Sequence, residues 1–316
     1  MRKSEPSSSD VSMTTRVLHW RARWAVYAPT VRARLWQYAL LMRWDRPIGA
    51  LLLLWPMLWA LWLAGNGRPD AGVVAVFVTG VWVMRSAGCV INDYLDRHVD
   101  PFVERTRDRP LAAGRVYPQE ALALFGLLMA IALVLALLCN RMTLLLAFGG
   151  AFLAATYPLM KRYTYLPQVY LGMAFGWAVP MAWAGQTGQF PPPLAWLVFL
   201  TAVVWAVIYD TQYAMVDRDD DLKIGVKSTA ILFGELDRPI LAALQALMLL
   251  ALVLIGRRAD LAWPYFVSLI GVAALFVWQQ FLMRARDRAG SFAAFRNNNW
   301  VGGVVFLGIL ASYLVS

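Results

Sequence analysis

Charge is scarce in this 316-residue chain. Asp, Glu, Lys and Arg make up 15% of it, against about 25% in a typical soluble domain. Cysteine occurs twice, as Cys89 and Cys139, both inside apolar runs, which excludes a disulfide framework and a cysteine-built zinc site. Two histidines, His19 and His98, are too few for a histidine-rich metal centre. What fills the chain instead is apolar sequence, 60% of residues, with mean hydropathy +0.55. That excludes both a disordered chain and an ordinary cytosolic domain. Against this background stands a net charge of +10, a value that would also suit a nucleic-acid or acidic partner. The placement of the charges decides between these readings.

A bilayer-crossing helix needs about 20 mostly apolar residues. Nine segments qualify: 47–64, 71–91, 120–139, 142–160, 166–184, 192–209, 239–255, 261–283 and 299–316. Breakers separate them at Gly65-Asn66-Gly67, Asn140-Arg141, Pro191-Pro192-Pro193, Gly256-Arg257-Arg258 and Asn297-Asn298-Asn299. The runs lack the polar alternation of a membrane barrel, so the expected fold is all-α, with nine transmembrane helices around a central cavity. With the N-terminus in the cytoplasm, 24 of the 29 bases fall in cytoplasmic segments and four (Arg68, Arg141, Arg257 and Arg258) on the far side, with Arg85 inside a span. This asymmetry orients the chain with its N-terminus inside and its C-terminus outside. It also assigns the positive excess to a membrane face rather than to nucleic acid. Residues 1–34 precede every span as a basic segment, leaving 35–316 as one transmembrane domain. From Val17, apolar residues recur at helical spacing among arginines, the pattern of a surface helix drawn to anionic lipid; an Arg- and Ser-rich mitochondrial targeting segment is the rival reading. The chain is accordingly placed in a bacterial inner membrane, with the mitochondrial inner membrane as the alternative.

The acids are more informative than the bases. Twelve of the 19 lie in two stretches, 92–119 and 210–238, expected as cytoplasmic loops at the ends of spans 2 and 6. Asn92, Asp96 and Asp100 recur at i, i+4 and i+8, which predicts one helical face. Asp217 and Asp221 repeat the i, i+4 step, and Asp210 shares their stripe. Asp96-Arg97-His98-Val99-Asp100 and Asp217-Arg218-Asp219-Asp220-Asp221 show the same D-R-x-x-D, 121 residues apart, which suggests two related halves. Aligned carboxylates repel one another unless a cation lies between them. Hard oxygen ligands without His or Cys suit Mg2+, which takes one or two carboxylates and completes its shell with water and phosphate. Solvated loop ends balancing nearby arginines are the plainer alternative, weakened by the matched positions of the clusters. Arg105, Arg107 and Arg109 follow the first cluster, and Lys223 and Lys227 the second, as a Mg2+-bridged diphosphate requires. Within a membrane this points to a lipid diphosphate. Arg85, seven residues before Asn92, shares its face, and a charge inside a span marks a functional cavity. Ser86-Ala87-Gly88-Cys89 suggests close helix packing beside it.

Asn92-Asp93-Tyr94-Leu95-Asp96-Arg97-His98-Val99-Asp100 resembles the NDxxDxxxD signature of the UbiA superfamily of intramembrane aromatic prenyltransferases, and Tyr209 through Asp221, continuing to Lys227-Ser228-Thr229-Ala230, resembles its second aspartate motif. Arg46-Pro47-Ile48-Gly49, the MRSAGCVINDYLDR stretch and TYPLMKRYTYLPQ at 156–168 are similar to the branch that prenylates 4-hydroxybenzoate for ubiquinone. The resemblance runs from about Arg43 to Gly234, more weakly to the C-terminus, and omits residues 1–34.

The resemblance implies that Asn92, Asp96 and Asp100 form the first Mg2+ motif and Asp217 and Asp221 the second. Lys161 would lie near the diphosphate, and Arg162 would hold the carboxylate of 4-hydroxybenzoate. The substrates would be a polyprenyl diphosphate and 4-hydroxybenzoate, with Arg46, Arg85, Arg105 and Lys227 as further anion-binding bases. Asp96, Asp217, Asp210 and Tyr157 are the candidate catalytic residues. Tyr94, Tyr157, Tyr209 and Tyr213 offer cation–π stabilisation to an allylic cation, about 0.5–2 kcal/mol each; most other aromatics pack cores and interfaces. Asp93, off the shared face, is expected to be structural. Homogentisate, dihydroxynaphthoate, haem or a glycerol lipid are rival acceptors. An ion- or proton-coupled transporter is a distant alternative, since its acids belong near the midplane.

Overall fold

The computed structural model describes residues 31–98, 100–102 and 106–316. The expected N-terminal surface helix at residues 17–30 lies outside them. The described residues form helices and no strands: α1 Val31–Leu41, α2 Ile48–Ala64, α3 Ala71–Leu95, α4 Pro118–Leu137, α5 Arg141–Tyr163, α6 Pro167–Gly176, α7 Ala178–Thr187, α8 Pro193–Ile224, α9 Thr229–Phe233, α10 Asp237–Arg258, α11 Trp263–Leu282 and α12 Arg288–Val315. Six helices are long and apolar enough to cross a membrane among the described residues: α3, α4, the apolar part of α8, the 229–258 segment containing α10, α11 continued to Ala285, and α12. The apolar helix α2 is shorter, at 17 residues.

Two of the expected breakers start helices: Asn140 accepts from the Thr143 amide at 2.9 Å, and the proline run opens α8. At the start of α4 the Glu120 carboxylate accepts from the Tyr117 amide. Side-chain acceptors of this kind satisfy amides that no helical carbonyl reaches. Three expectations are corrected. The 166–184 segment is two helices that meet at Trp177. Asn297-Asn298-Asn299 does not break the chain but lies inside α12, because the modest helix cost of Asn is outweighed by amide hydrogen bonds in an apolar interior. The second acidic stretch is not a loop up to Ile224: from Pro193 onward nothing stops α8 until Gly225, whose φ of +71° suits glycine at a helix end.

Two apolar cores result. The larger joins α2, α7, α8, α10, α11 and α12 with Phe77 and Val81 of α3; the smaller joins α1, α3 and α4 through Leu41, Ala87, Val90, Ala121 and Leu128. At Gly172 a Cβ would lie 2.9 Å from the Val203 carbonyl oxygen, so this glycine permits the close approach of α6 and α8. Large side chains such as Phe152, Leu250, Ile270 and Val277 are exposed away from the cavity lining, as suits a lipid-facing surface. A cavity of about 750 Å3 runs between the two cores.

Candidate active site at the head of the cavity

The cavity wall follows α3 from Val76 to Asn92, about 24 Å at 1.5 Å per residue. Most of its lining is apolar, including Leu52, Phe77, Met129, Ala147 and Met181. Polar groups gather at one end: Arg43, Arg46, Arg85, Asn92, Asp93, Asp96, Arg109, Tyr157, Tyr209, Asp210 and Tyr213 all line it. The structure therefore brings six expected site residues to one cavity, namely Arg46, Arg85, Asn92, Asp96, Tyr157 and Asp210.

Arg85 reaches this end because Gly49 lacks a side chain. A Cβ on Gly49 would stand 2.5 Å from both Nε and Nη2 of Arg85, so the guanidinium lies directly on the α2 backbone. The glycine of Arg46-Pro47-Ile48-Gly49 is thus explained by contact. Arg85, Asp210 and Tyr157 all lie close enough to Tyr209 to act on it electrostatically. Tyr209 is held edge-on against Trp205, with ring centroids 5.6 Å apart.

The first acidic motif divides between two environments. α3 ends at Leu95, Asp96 is its C-cap, and a separate 3-10 turn begins at Asp100. The expected i+8 face therefore stops short of Asp100, because the helix does. Asp93, 2% exposed, is tied to two arginines: Arg43 Nη2 donates to both its oxygens at 2.8 Å, and Arg109 Nη1 donates to Oδ1 at 3.0 Å. The same Arg109 Nη1 donates to Asp100 Oδ2 at 2.9 Å, and Asp100 is not among the cavity-lining residues. Arg43, at a left-handed φ of +61°, also donates to the Leu40 carbonyl at 3.0 Å. Arg43 carries no local sequence signal, since its partner lies 50 residues away; Arg109 was visible only as one base among three.

The second motif divides too. Asp219 and Asp220 form ion pairs with Arg288 of α12, and Lys223 approaches Asp220 at 3.5 Å. Arg218 turns away to the carbonyls of Ala230 and Gly234 and to Asp237, 3.2 Å distant. Arg97 instead donates to the Tyr94 carbonyl and stands over the Tyr94 ring at 4.3 Å. The D-R-x-x-D repeat is therefore not a repeat of local structure: one copy is a helix end and a turn, the other is helical throughout. Asp217 and Asp221 remain on the stripe of Asp210 but are not among the lining residues.

Lys227 likewise lies off the cavity lining, over the Tyr165 ring at 5.2 Å. The Thr229 amide donates to Gln168 Oε1 at 3.0 Å, and the Thr229 and Thr211 hydroxyls are 2.6 Å apart. Two motifs 61 residues apart in sequence, around 165–168 and 227–229, thus form one joint. Arg105 and the side chains of Lys161 and Arg162 lie outside the described residues. Among the described residues no three His, Cys, Asp or Glu side chains gather as a ready-made metal cage. Asn92 and Asp96 nevertheless offer only hard oxygen donors at the cavity head, which fits a cation that draws few ligands from protein.

Residues 53–308 match the UbiA prenyltransferase family. A 4-hydroxybenzoate octaprenyltransferase from Alkalilimnicola ehrlichii is 59% identical over 283 residues, covering 90% of this chain and 96% of the relative. Another, from Nitrosococcus oceani, is 58% identical over 286 residues, covering 90% and 100%. The fold is similar to that of a UbiA homologue from Aeropyrum pernix, with TM-score 0.73 at 24% identity, covering 84% of this chain and 98% of that one. It is similar also to a UbiA homologue from Archaeoglobus fulgidus bound to DMAPP and Mg2+, with TM-score 0.69 at 18% identity, covering 89% and 100%. The chain belongs to the UbiA prenyltransferase family.

Proposed function

We propose that the protein transfers a polyprenyl group from polyprenyl diphosphate to the ring carbon ortho to the hydroxyl of 4-hydroxybenzoate, releasing pyrophosphate, in ubiquinone biosynthesis. The observation that carries this reading is the cavity itself: an apolar passage for a lipid tail, with arginines and acids at one end for a diphosphate. The names of the relatives at 59% and 58% identity support the choice of acceptor.

Asn92 and Asp96, with Asp217 and Asp221 of the α8 stripe, would hold Mg2+; the Archaeoglobus fulgidus complex supports a divalent ion in this fold. When bound, Mg2+ supplies charge neutralisation to the diphosphate leaving group. Arg46 and Arg85 bind and orient the anionic groups from the cavity wall. By the family resemblance, Lys161 would serve the diphosphate and Arg162 would pair with the carboxylate of the aromatic acid. Tyr157, Tyr209 and Tyr213 face the allylic carbon as charge develops on it. Asp210 accepts the ring proton once the new carbon–carbon bond has formed. The apolar walls keep water from the cation, which would otherwise be captured as an alcohol.

The protein crosses the inner membrane of a bacterium nine times, with the N-terminus and the site on the cytoplasmic side; the distribution of Lys and Arg supports this orientation. The proposed single domain is 35–316, preceded by the basic segment 1–34, whose Arg34 is tied to Glu120 of that domain. The test is product analysis of membranes supplied with Mg2+, prenyl diphosphates of several lengths, and 4-hydroxybenzoate, homogentisate or dihydroxynaphthoate separately. Prenylated 4-hydroxybenzoate is expected to dominate; a preference for another acceptor would reject the reading.

A further inference from the structure

On α8, at about 100° per residue, Asp210, Tyr213, Asp217 and Asp221 lie within about 80° of one another. Trp205 and Gln212 lie on the opposite side, about 140–160° around from Asp210. Both are fully buried, and both bond to one buried side chain of α12, Asn298. Trp205 Nε1 donates to Asn298 Oδ1 at 2.9 Å, and Asn298 Nδ2 donates to Gln212 Oε1 at 2.7 Å. Gln212 Nε2 donates onward to Gln279 Oε1 of α11 at 2.9 Å, an oxygen that also accepts from Gln245 of α10.

Trp205 and Gln212 are seven residues apart, so the two bonds hold α8 at points about 10 Å apart along its axis. A single bond would leave the helix free to turn about it; two fix both its rotation and its height. Beyond this buried amide network the surroundings are apolar, so a lost bond finds no bulk water to replace it. The lever is substantial. With side chains about 5–6 Å from the axis, a 20° rotation displaces the acidic stripe by about 2 Å, and a 1 Å misplacement can cost a hundredfold in rate.

We propose that Asn298 is a positioning residue, setting the rotation of α8 so that its acidic stripe meets the Mg2+-diphosphate at the cavity head. The inference rests on the reading of Asp217 and Asp221 given above. The test compares full-length wild type, Asn298→Leu, Gln212→Leu and Gln245→Leu in lipid nanodiscs. Gln245→Leu cuts the same amide network at a side chain whose hydrogen bonds go to α11 and not to α8. Two measurements are made: the Mg2+ midpoint for prenyl transfer, and the rise in melting temperature caused by Mg2+ with inorganic pyrophosphate, without any aromatic acid. Asn298→Leu is expected to raise the Mg2+ midpoint at least tenfold and abolish the pyrophosphate-dependent rise, leaving the KM for the aromatic acid within twofold. Gln212→Leu, which removes one bond of the two, shifts the midpoint less and serves if Asn298→Leu fails to fold. Gln245→Leu melts earlier but keeps the wild-type midpoint. An unchanged midpoint in the α8-facing variants, or an equal shift in Gln245→Leu, would overturn the proposal. If wild type fails to prenylate 4-hydroxybenzoate yet the pyrophosphate-dependent melting follows this pattern, the assigned acceptor fails and the positioning role stands.

Discussion

At Gly49 the absent atom is the functional one. Gly49→Ala adds a Cβ 2.5 Å from two Arg85 nitrogens, inside the closest approach real atoms make, so the guanidinium must leave its seat. The expected result is a fall in kcat/KM of about ten- to a hundredfold, roughly 1.4–2.7 kcal/mol of lost transition-state stabilisation. Arg85→Ala should lose as much, and the double variant little more, because both changes remove one interaction; steady-state kinetics on the three variants checks this. Asp96→Ala and Asp217→Ala should abolish prenyl transfer while the protein still inserts and is recovered from membranes. Full activity in either would remove that residue from the site. Asp93 differs in kind, for its carboxylate is buried between two arginines.

That pairing matters at the scale of the element. Asp93 joins the α1–α2 corner, through Arg43, to the segment after α3, through Arg109, and Arg109 carries the tie on to Asp100. Asp93→Asn would take the counter-charge from Arg43 and leave Arg109 with Asp100 alone. Breaking a buried pair from one side costs about 3–5 kcal/mol. The expected outcome is faster proteolysis between residues 97 and 117 and a lower melting temperature; unaltered proteolysis would show that the segment holds without it. A second anchor lies nearby: Arg34 of α1 grips Glu120 at 2.6 and 2.7 Å, and Tyr38 donates to the same carboxylate at 3.0 Å. The hydrogen bond to Glu120 raises the pKa of Arg34, and burial, followed by that carboxylate, raises the pKa of Tyr38. Helix α8 shows how far sequence patterns reach. Its acidic stripe was legible from spacing, because Asp210, Asp217 and Asp221 do lie on one helix. Its back face was not, because Asn298, which meets it, belongs to an asparagine triplet that reads locally as a break.

For the whole molecule, the arrangement predicts where each end lies. The proposed nine spans with a cytoplasmic N-terminus would put Ser316 outside. A C-terminal alkaline phosphatase fusion, active only outside the cytoplasm, should therefore be active, whereas a fusion ending after Arg115 should not; the reverse pattern would reject the orientation. Much of this architecture follows from composition. The scarcity of charge, the apolar runs and the one-sided distribution of bases are properties of the chain, because transfer into lipid sums over residues and needs no knowledge of which ones touch. The membrane class, the helical fold and the residues of both acidic motifs are legible on those terms, with the family resemblance carrying the chemistry. Only the tertiary structure decided which acids line the cavity, which arginines pair with Asp93, Asp100, Asp219 and Asp220, that Gly49 makes room for Arg85, and that Asn298 holds α8 from behind. Each of these depends on a contact between residues far apart in sequence, with partners set by how the helices pack. Periodicity along a single helix can report which residues share a face, but not what that face meets.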